Sequence, residues 1–487
     1  MDLEVGLRED EALSGDSLKP KLLLYQPRCL FFTMPLGPLA VASAVNRDRV
    51  QSIIIDGRLD ADPVAVLEAH LDEAVCFGVS VLTGAPIEDA LRVSREVKAR
   101  RPELPVIWGG WHPSLFPLEV LAEAECVDVV VCGQGEATLR ELIECYLDGW
   151  DAAGVAGIAL RVDGEPRMTA ARPLVPYGEF PAADYSLLPV ERYFTRKNRR
   201  QLDYVTSVGC HYRCRFCADP AVFKRQRSAI PLDRVVAELS ELAGRFGVED
   251  VNFQDETFFS NRPWTVELAT RLIACGSPFS WAATMRADQG ARLTDHDFAL
   301  LARSGLRKLL IGVEAGSSRM LERLGKDITL NQIETVARYS QKYDIAATYP
   351  FIFGIPGEQP ADVEASLRLA RRLKSMNWRN TTPFFFFKPY PGSELSSDVV
   401  AEGYELPKTL DEWSRFDYVT TSSPWVSDAD VQRVRMAGFF SQLGWSRPRW
   451  WAMPVQALAR LRCRTGNFRL PVEKAVIERL QPPPPLA

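Results

Sequence analysis

The sequence predicts an α/β protein built from two successive units, a doubly wound parallel sheet and a partial parallel barrel of six β/α repeats, followed by a mainly helical C-terminal segment. Three observations predict it. Short apolar runs alternate with amphipathic stretches from Lys21 to about Leu160, the alternation stops over a Pro- and Gly-rich stretch, and a second alternation starts at Gln201. At 487 residues the chain exceeds one ordinary core. Hydrophobic residues make up 46% and charged residues 25%, the balance of a globular rather than a disordered chain.

In the first unit (21–160, after an acidic tail over 1–20), KLLLYQP, VQSIIIDG, AVCFGVSVLTG, PVIWGGWHP and DVVVCGQGE have the character of buried parallel strands. Helical periodicity falls between them, over Pro63–Leu71, Ile87–Arg101, Leu118–Ala124 and Ala137–Leu147. That is a Rossmann-like pattern, whose ligand site lies beyond the carboxyl ends of the strands. Those ends run into small residues: Ser80 and Thr83-Gly84, Gly109-Gly110, then Gly133-Gln134-Gly135-Glu136. Missing side chains there let a large flat ligand reach the backbone, although any single glycine pair is equally explained by a turn.

Residues 154–200 read as a β-hairpin and an extended connector, the connector proper being 161–200. In the second unit (201–394) the strands are DYVTSVG, EDVNFQD, FSWAATM, RKLLIGVE, AATYPFIFGIP and TTPFFFFKP. Helices are expected over Leu232–Phe246, Trp264–Ala274, Asp295–Ser304, Leu330–Tyr343 and Val363–Lys374. Six repeats suit a TIM-type barrel three-quarters closed, with its chemistry at the C-terminal strand ends. Each of those ends carries something small or polar: Cys210, Asp255-Glu256, Arg286, Glu314, Gly354–Glu358, and Lys388 with Tyr390.

The net charge of -5 gives no general attraction for nucleic acid. The start lacks the basic and apolar pattern of a signal peptide, and no run of about 18 apolar residues predicts a membrane span. Seven of the ten cysteines (Cys29, Cys76, Cys126, Cys132, Cys145, Cys275, Cys463) read as buried free thiols, which points to a reducing cytoplasm. From Val431 to Pro471 there are eight arginines and no acidic residue, interleaved with Phe439, Phe440, Trp445, Trp450 and Trp451. This part of the last segment (395–487) reads first as a helical cap with its arginines in water. An acidic or phosphorylated substrate, or an anionic membrane surface, are the alternatives. The end QPPPPLA reads as disordered.

The stretch VGCHYRCRFCADP holds Cys210, Cys214 and Cys217 at spacing C-x3-C-x2-C. Structural zinc takes four ligands, and a redox C-x2-C pair would leave Cys210 unexplained. A 4Fe–4S cube asks for one thiolate per iron, so three thiolates leave one iron open. Arg213, Arg215, Lys224, Arg225 and Arg227 surround the loop and suit an anionic cluster and ligand, or form a solvated face.

With that motif closing the first strand of a six-fold β/α array, the chain resembles the radical S-adenosylmethionine (SAM) superfamily. The resemblance implies a 4Fe–4S cluster on the three cysteines and SAM chelated at the open iron, cleaved by one electron to a 5′-deoxyadenosyl radical. Phe216 matches the aromatic residue the family carries before its third cysteine. By the same resemblance Asp255 and Glu256 (NFQDETFF) would contact the amino group of SAM, Glu314 (GVEAG) its ribose, and Gly354, Ile355 and Gly357 (FIFGIPGE) the adenine side. Glu358 more often opens the next helix. Other readings remain: Asp255 or Glu256 capping the helix near Pro263, Glu314 as an ion-paired barrel residue, and Arg286, a SAM-site candidate, merely pairing with Asp288.

A Rossmann-like unit ahead of such a barrel resembles the cobalamin-binding subgroup, over about residues 21 to 395. This implies cobalamin along Ser80, Thr83, Gly84, Gly109, Gly110, Gly133, Gly135 and Glu136. The Asp-x-His-x-x-Gly signature that gives cobalt a histidine is absent, so none of His70, His112, His211 and His296 is expected beneath the metal, and His112 reads as structural. The resemblance implies a methyltransferase that moves a methyl group from methylcobalamin to an unactivated carbon of a small, biosynthetic substrate. A reductant such as flavodoxin or ferredoxin would be its partner. A cobalamin-binding radical cyclase or rearrangement enzyme is the alternative, and a non-catalytic Fe–S sensor or electron carrier is the reading from another class. Specificity is expected at Phe386, Phe387, Lys388 and Tyr390 and after Gly392, where the aromatic run hints at a planar or apolar substrate or is buried strand.

Overall fold

The computed structural model describes residues 19–416, 423–469, 471, 473 and 474. Its first sheet contains β1 (Lys21–Gln26), β2 (Gln51–Asp56), β3 (Ala74–Ser80), β4 (Val106–Gly109), β5 (Val129–Val131), β6 (Ile158–Val162) and β7 (Glu165–Met168). The order is β2-β1-β3-β4-β5-β6-β7, with β1 to β5 parallel and the β6–β7 hairpin antiparallel on the edge. This is the doubly wound arrangement expected, and Leu23, Phe77, Val106, Trp108 and Val130 fill one of its two faces. All five expected parallel strands form, because continuous Val, Ile and Leu runs satisfy a sheet covered on both sides.

Two helices of this unit escape the periodicity. Leu36–Ala44 (LGPLAVASA) is small and apolar all round, since one side meets β1 and β2 and another meets the helix Glu136–Asp148. Trp111–Leu115 is a single turn held between the β4 end and the barrel loop.

The second unit runs β8 (Gln201–Tyr204), a short hairpin of β9 (Ser207–Val208) and β10 (Ser228–Ala229), then β11 (Asp250–Phe253), β12 (Ser280–Met285), β13 (Leu306–Ile311), β14 (Ala346–Thr348), β15 (Phe351–Phe353) and β16 (Phe384–Phe386). Parallel pairing gives β8-β11-β12-β13-β14, and β15 pairs with β16. The fifth expected strand thus breaks at Tyr349-Pro350. Bridges from Glu314 to Phe351 and from Thr348 to Thr381 carry the curve across the break. Helices cover the outside, each close to its expected span; Leu232–Phe246 coincides with it.

The units are fused by polar pins. The Met34 amide donates to Asp203 Oδ2 at 2.7 Å, and the Tyr193 hydroxyl donates to Asp56 Oδ2 at 2.7 Å. The C-terminal segment divides between the two units. Leu410, Trp413 and Phe416 complete the core of the first sheet, whereas the helices Asp428–Gly444 and Met453–Thr465 back the barrel at β16 and the helix Pro360–Met376. The run QPPPPLA lies outside the described residues. No described cysteine forms a disulfide. Cys76, Cys126 and Cys145 are buried as expected, Cys29, Cys132 and Cys463 are half-buried, and Cys275 is exposed where its helix ends. No helix among the described residues is long and apolar enough to cross a membrane.

Candidate active site

The three cysteines leave the C-terminal end of the first barrel strand through Gly209, whose φ of +75° and 2.3 Å clearance from the Gln226 carbonyl admit no side chain. From the third strand Arg286 grips the loop. Its Nη1 donates to Cys214 Sγ at 3.2 Å, its Nε to Asp288 Oδ1 at 2.9 Å, and its guanidinium lies 3.7 Å from the Tyr212 ring centroid. Arg286 therefore does pair with Asp288, as its bland reading supposed, yet it also places a buried positive charge on a thiol. Arg215 fastens the loop to the helix Glu394–Ala401 through Glu394 at 2.7 Å and Asp398 at 2.6 Å.

The surrounding basic residues divide. Arg213 pairs with Asp327 at the surface, and Lys224 and Arg225 are exposed, so these form a solvated face. Arg227 turns inward: its Nη2 donates to Ser207 Oγ at 3.0 Å and its Nε is buried without a partner. Burial lowers its pKa, while Asp255, Cys210 and Glu256 oppose that. Burial likewise pushes the Cys210 thiol up to about 11 and Cys217 up to about 12. Among the described residues no three His, Cys, Asp or Glu side chains are gathered closely enough to hold a single metal ion. A cube with a separate iron for each thiolate needs no such convergence.

Asp255 is tied into the barrel wall. It is buried and accepts from the Thr206 amide at 3.1 Å and hydroxyl at 2.6 Å and from the Ser207 hydroxyl. Three of its roughly four acceptor sites are thereby committed to holding the β8–β9 bend. It does not cap the next helix; Asn261 does, accepting from the Trp264 amide. Glu256 next to it is exposed and opens into a cavity of about 250 Å³ between the units, whose walls raise the pKa of its carboxyl.

Glu314 sits at φ +65°, a strained value for a side-chain-bearing residue, and accepts from Lys326 Nζ at 2.8 Å. Both side chains are buried, and a Cβ on Gly312 would lie 2.4 Å from Glu314 and 2.7 Å from Lys326. Lys326 also stands 5.5 Å from the ring of Phe216, linking this pair to the cysteine loop. Gly354 (φ +73°) donates its amide to Glu358 Oε2 at 2.6 Å and packs on Ser423 and Val426. The other Glu358 oxygen is buried without a partner, and burial lifts that carboxyl to about 7. Ile355 is buried, and Gly357 (φ +81°) accepts from Arg319 at 3.0 Å.

Phe216, Cys217 and Glu314 face one cavity of about 520 Å³ with Phe385, Phe386, Phe387, Lys388 and Tyr390, and the first unit closes it with Phe31, Leu82 and Trp111. The aromatic run therefore lines a cavity rather than serving only as buried strand; Phe384 alone turns away, onto Gly438. Sequence reasoning missed three residues here: Lys326, Tyr212 and Asp219. Asp219 is 3% exposed, lines the same cavity, and approaches the Cys210 amide without meeting it in hydrogen-bond geometry; burial lifts it to about 6. Its place just after the third cysteine was the available signal.

In the first unit a third cavity, of about 200 Å³, opens at the strand ends, against the helix Leu36–Ala44. Ser80, Gly109, Gly110, Gly133, Gly135 and Glu136 line it, with Gly37, Gly78 and, from the barrel, Val208 and Phe223. Gly110 (φ +98°) would place a Cβ 2.9 Å from the Val81 carbonyl, and nothing lies within 4 Å of one on Gly133. Glu136 is buried where this cavity meets the one holding Glu256, and burial raises its pKa. Thr83 and Gly84 are not among the lining residues. Thr83 is 1% exposed and bonded to His112 Nδ1 at 3.2 Å, and Gly84 abuts the Phe416 carbonyl. Both serve the junction with the C-terminal segment. His112 is itself buried between Phe116 and Trp413, with its pKa lowered to about 4 by burial.

Comparison with known proteins agrees with this geometry. The family model described as the radical SAM superfamily matches residues 204–370, and the one described as the B12 binding domain matches residues 30–143. Residues 204–370 thus form a radical SAM domain and residues 30–143 a B12-binding domain. It is 28% identical over 408 residues to an uncharacterized methyltransferase of Pyrococcus horikoshii, covering 83% of this chain and 86% of that one. It is also 26% identical over 318 residues to the anaerobic magnesium-protoporphyrin IX monomethyl ester cyclase of Rubrivivax gelatinosus, covering 64% of this chain but 56% of the cyclase. Among solved structures, the radical SAM methyltransferase TsrM of Kitasatospora setae, with cobalamin and a 4Fe–4S cluster bound, superposes with a TM-score of 0.66 at 20% identity over 80% of this chain and 76% of that one. The fold of this radical SAM protein is thus the two-unit fold of that enzyme.

Proposed function

We propose that this radical SAM enzyme is a cobalamin-dependent methyltransferase that adds a methyl group to an unactivated carbon of a small molecule. The observation that carries the reading is the three-thiol loop held by Arg286, opening onto one cavity with Glu314 that the B12-binding unit itself closes. The residues present fit the groups required. Three thiols and a guanidinium suit an anionic cluster with one iron left for SAM. The glycine-lined cavity, clear of neighbours at Gly133 and bounded at Gly110 by the Val81 backbone and the Ser80 hydroxyl, suits a broad planar ligand. When bound, these cofactors supply one-electron cleavage of a sulfonium and a transferable methyl group, which no side chain here could supply.

The chain's own part is to hold and to exclude. Cys210, Cys214 and Cys217 would ligate the cluster, and Arg286 would stabilise the charge at Cys214. Glu256 and Glu314 would bind donors of SAM, with Lys326 fixing the orientation of the Glu314 carboxylate. The backbone at Gly354, Ile355 and Gly357 would take the adenine side. Six glycines, Ser80 and Glu136 would bound the cobalamin cavity: the expected Gly109, Gly110, Gly133 and Gly135, plus Gly37 and Gly78. Phe31, Leu82, Trp111 and the β16 aromatics would keep water from the substrate carbon, a condition radical chemistry needs. A flavodoxin- or ferredoxin-type reductant would deliver the electrons.

Ring closure or rearrangement without methyl transfer is the second reading, favoured by the similarity to the cyclases. Anaerobic incubation of the reconstituted enzyme with SAM, reductant and cobalamin separates the two. Methyl transfer predicts S-adenosylhomocysteine alongside 5′-deoxyadenosine; deoxyadenosine without S-adenosylhomocysteine would overturn it in favour of the cyclase reading.

A further inference from the structure

Most large apolar side chains exposed on this molecule stand alone, as Trp150 and Met168 do, and need no explanation. One region differs. Trp450, Trp451, Met453, Val455, Leu458 and Leu461 are all exposed, with Trp450 at 84%, Trp451 at 59% and Leu461 at 55%. They belong to the turn Trp450–Ala452 and the helix Met453–Thr465 that follows it.

The helix is anchored by its opposite side. Gln456 and Ala459 are buried against the helix Asp428–Gly444, and Gln456 Nε2 donates to the Ser446 hydroxyl and the Arg447 carbonyl. At 3.6 residues per turn, Pro454, Leu458 and Leu461 then fall at the centre of the outward face, with the exposed Arg464 on one flank; Arg462, on the other, is ion-paired with Glu473 and takes no part in this surface. Arg447, Arg449, Arg464 and Arg469 are exposed around this face. Arg449 lies 5.5 Å from the ring of Trp451, and the 41-residue stretch Val431 to Pro471 contributes no acidic side chain.

We infer that this helix and its tryptophan turn seat the enzyme on an anionic lipid surface. Each component answers to that partner. The apolar stripe enters the boundary between headgroups and acyl chains, the two indoles rest at headgroup depth, and the exposed arginines around it meet lipid phosphates. A helix of 13 residues is about 20 Å long, too short to span a bilayer and suited to lying on it. A neutral or cationic partner would satisfy the leucines and strand the arginines; charge complementarity selects the anionic surface. Through the helix Asp428–Gly444, which packs on β16, the anchor backs the strand whose aromatic side chains line the larger cavity. The inference stands on this surface alone and is independent of the reaction catalysed.

The test is co-sedimentation of the cluster-loaded full chain with sucrose-loaded vesicles of phosphatidylcholine, with and without phosphatidylglycerol. The chain is expected to sediment with the phosphatidylglycerol vesicles and to be released progressively as salt rises. The doubly exposed variants Leu458→Ser/Leu461→Ser and Arg447→Glu/Arg449→Glu should each lower the partition by about tenfold or more, with unchanged iron content and circular dichroism. Absence of the wild-type chain from the phosphatidylglycerol pellet overturns the inference. So does full sedimentation of the Leu458→Ser/Leu461→Ser variant, which would mean that only charge attracts. Self-association in sedimentation velocity that this variant abolishes, without vesicle binding, would show the face to join copies of the chain instead.

Discussion

Two of the three cavities at the junction are built by opposite means. The smaller one, in the B12-binding unit, is made by leaving side chains out: Gly37, Gly78, Gly109, Gly110, Gly133 and Gly135 line it, with the buried Glu136 as the carboxyl group of its wall. The larger one, at the barrel mouth, is walled by aromatic side chains and places Cys217, Asp219, Glu314 and Lys388 among them. Fixed charge pairs brace the strands around it: Arg286 is stacked on Tyr212, Glu314 is paired with Lys326, and Asp255 is tied to Thr206 and Ser207. The difference teaches what each site asks of the chain. A broad ligand bound along backbone needs space and shape, whereas an anionic cluster and a charged cosubstrate need fixed counter-charges in a desolvated pocket.

Substitutions at the two cavities should therefore fail in different ways. The largest effect is expected from Cys210→Ala, Cys214→Ala or Cys217→Ala. Each should remove the cluster absorbance of the reconstituted protein and reduce SAM cleavage by more than the about 10–100-fold typical of outer-shell partners. Corrinoid binding should be retained. Arg286→Gln should fall within that about 10–100-fold range and shift the cluster potential, because Cys214 loses its positive neighbour. An unchanged potential would mean that Arg286 serves only Asp288.

Next comes the buried pair. Lys326→Met leaves Glu314 charged and unpaired, and should cost about 3–5 kcal/mol of stability in chemical denaturation. The glycine cavity should be gentler on folding and harsher on its ligand. Gly110→Ala meets the Val81 backbone and a φ of +98°, so about 1–3 kcal/mol is expected. Gly133→Ala meets no atom within 4 Å and carries only the φ penalty of about 1–2 kcal/mol. Both should weaken hydroxocobalamin retention while leaving the cluster spectrum intact; loss of the cluster would erase the contrast between the cavities.

The smallest effect is a pH dependence. Glu358 titrates near 7 in the folded chain, above its ordinary value of 4.5, because of burial. A raised folded value means its contribution is present below about pH 4.5 and is lost as pH rises through about 7. Apoprotein melting temperature should decline across that window, and Glu358→Gln should flatten the decline.

Legibility in the sequence followed the same division. Charged and sulfur-bearing positions at strand ends could be read one by one, and Cys210, Glu256, Arg286 and Glu314 all stand at the barrel mouth. What could not be read was which of two neighbouring carboxylates is free: Asp255 and Glu256 differ only in that Asp255 meets Thr206 and Ser207, about 49 residues earlier in the chain. Lys326 was invisible because its partner is fixed by the fold, not by spacing. In the first unit, single glycines were ambiguous, and the all-apolar helix Leu36–Ala44, which forms a cavity wall, has no periodic signal. Thr83 and Gly84 share the composition of their neighbours, but Thr83 is bonded to His112 and Gly84 abuts Phe416, over 300 residues away.

The central claim is that the three thiols hold a cluster with one iron open to SAM. Mössbauer and electron paramagnetic resonance spectra of the anaerobically reconstituted full chain, recorded before and after adding SAM, test it most directly. The account predicts a 4Fe–4S cluster in which one iron site shifts on SAM addition, with the shift lost in Cys214→Ala. A cluster with four equivalent protein-ligated irons, indifferent to SAM, would contradict it.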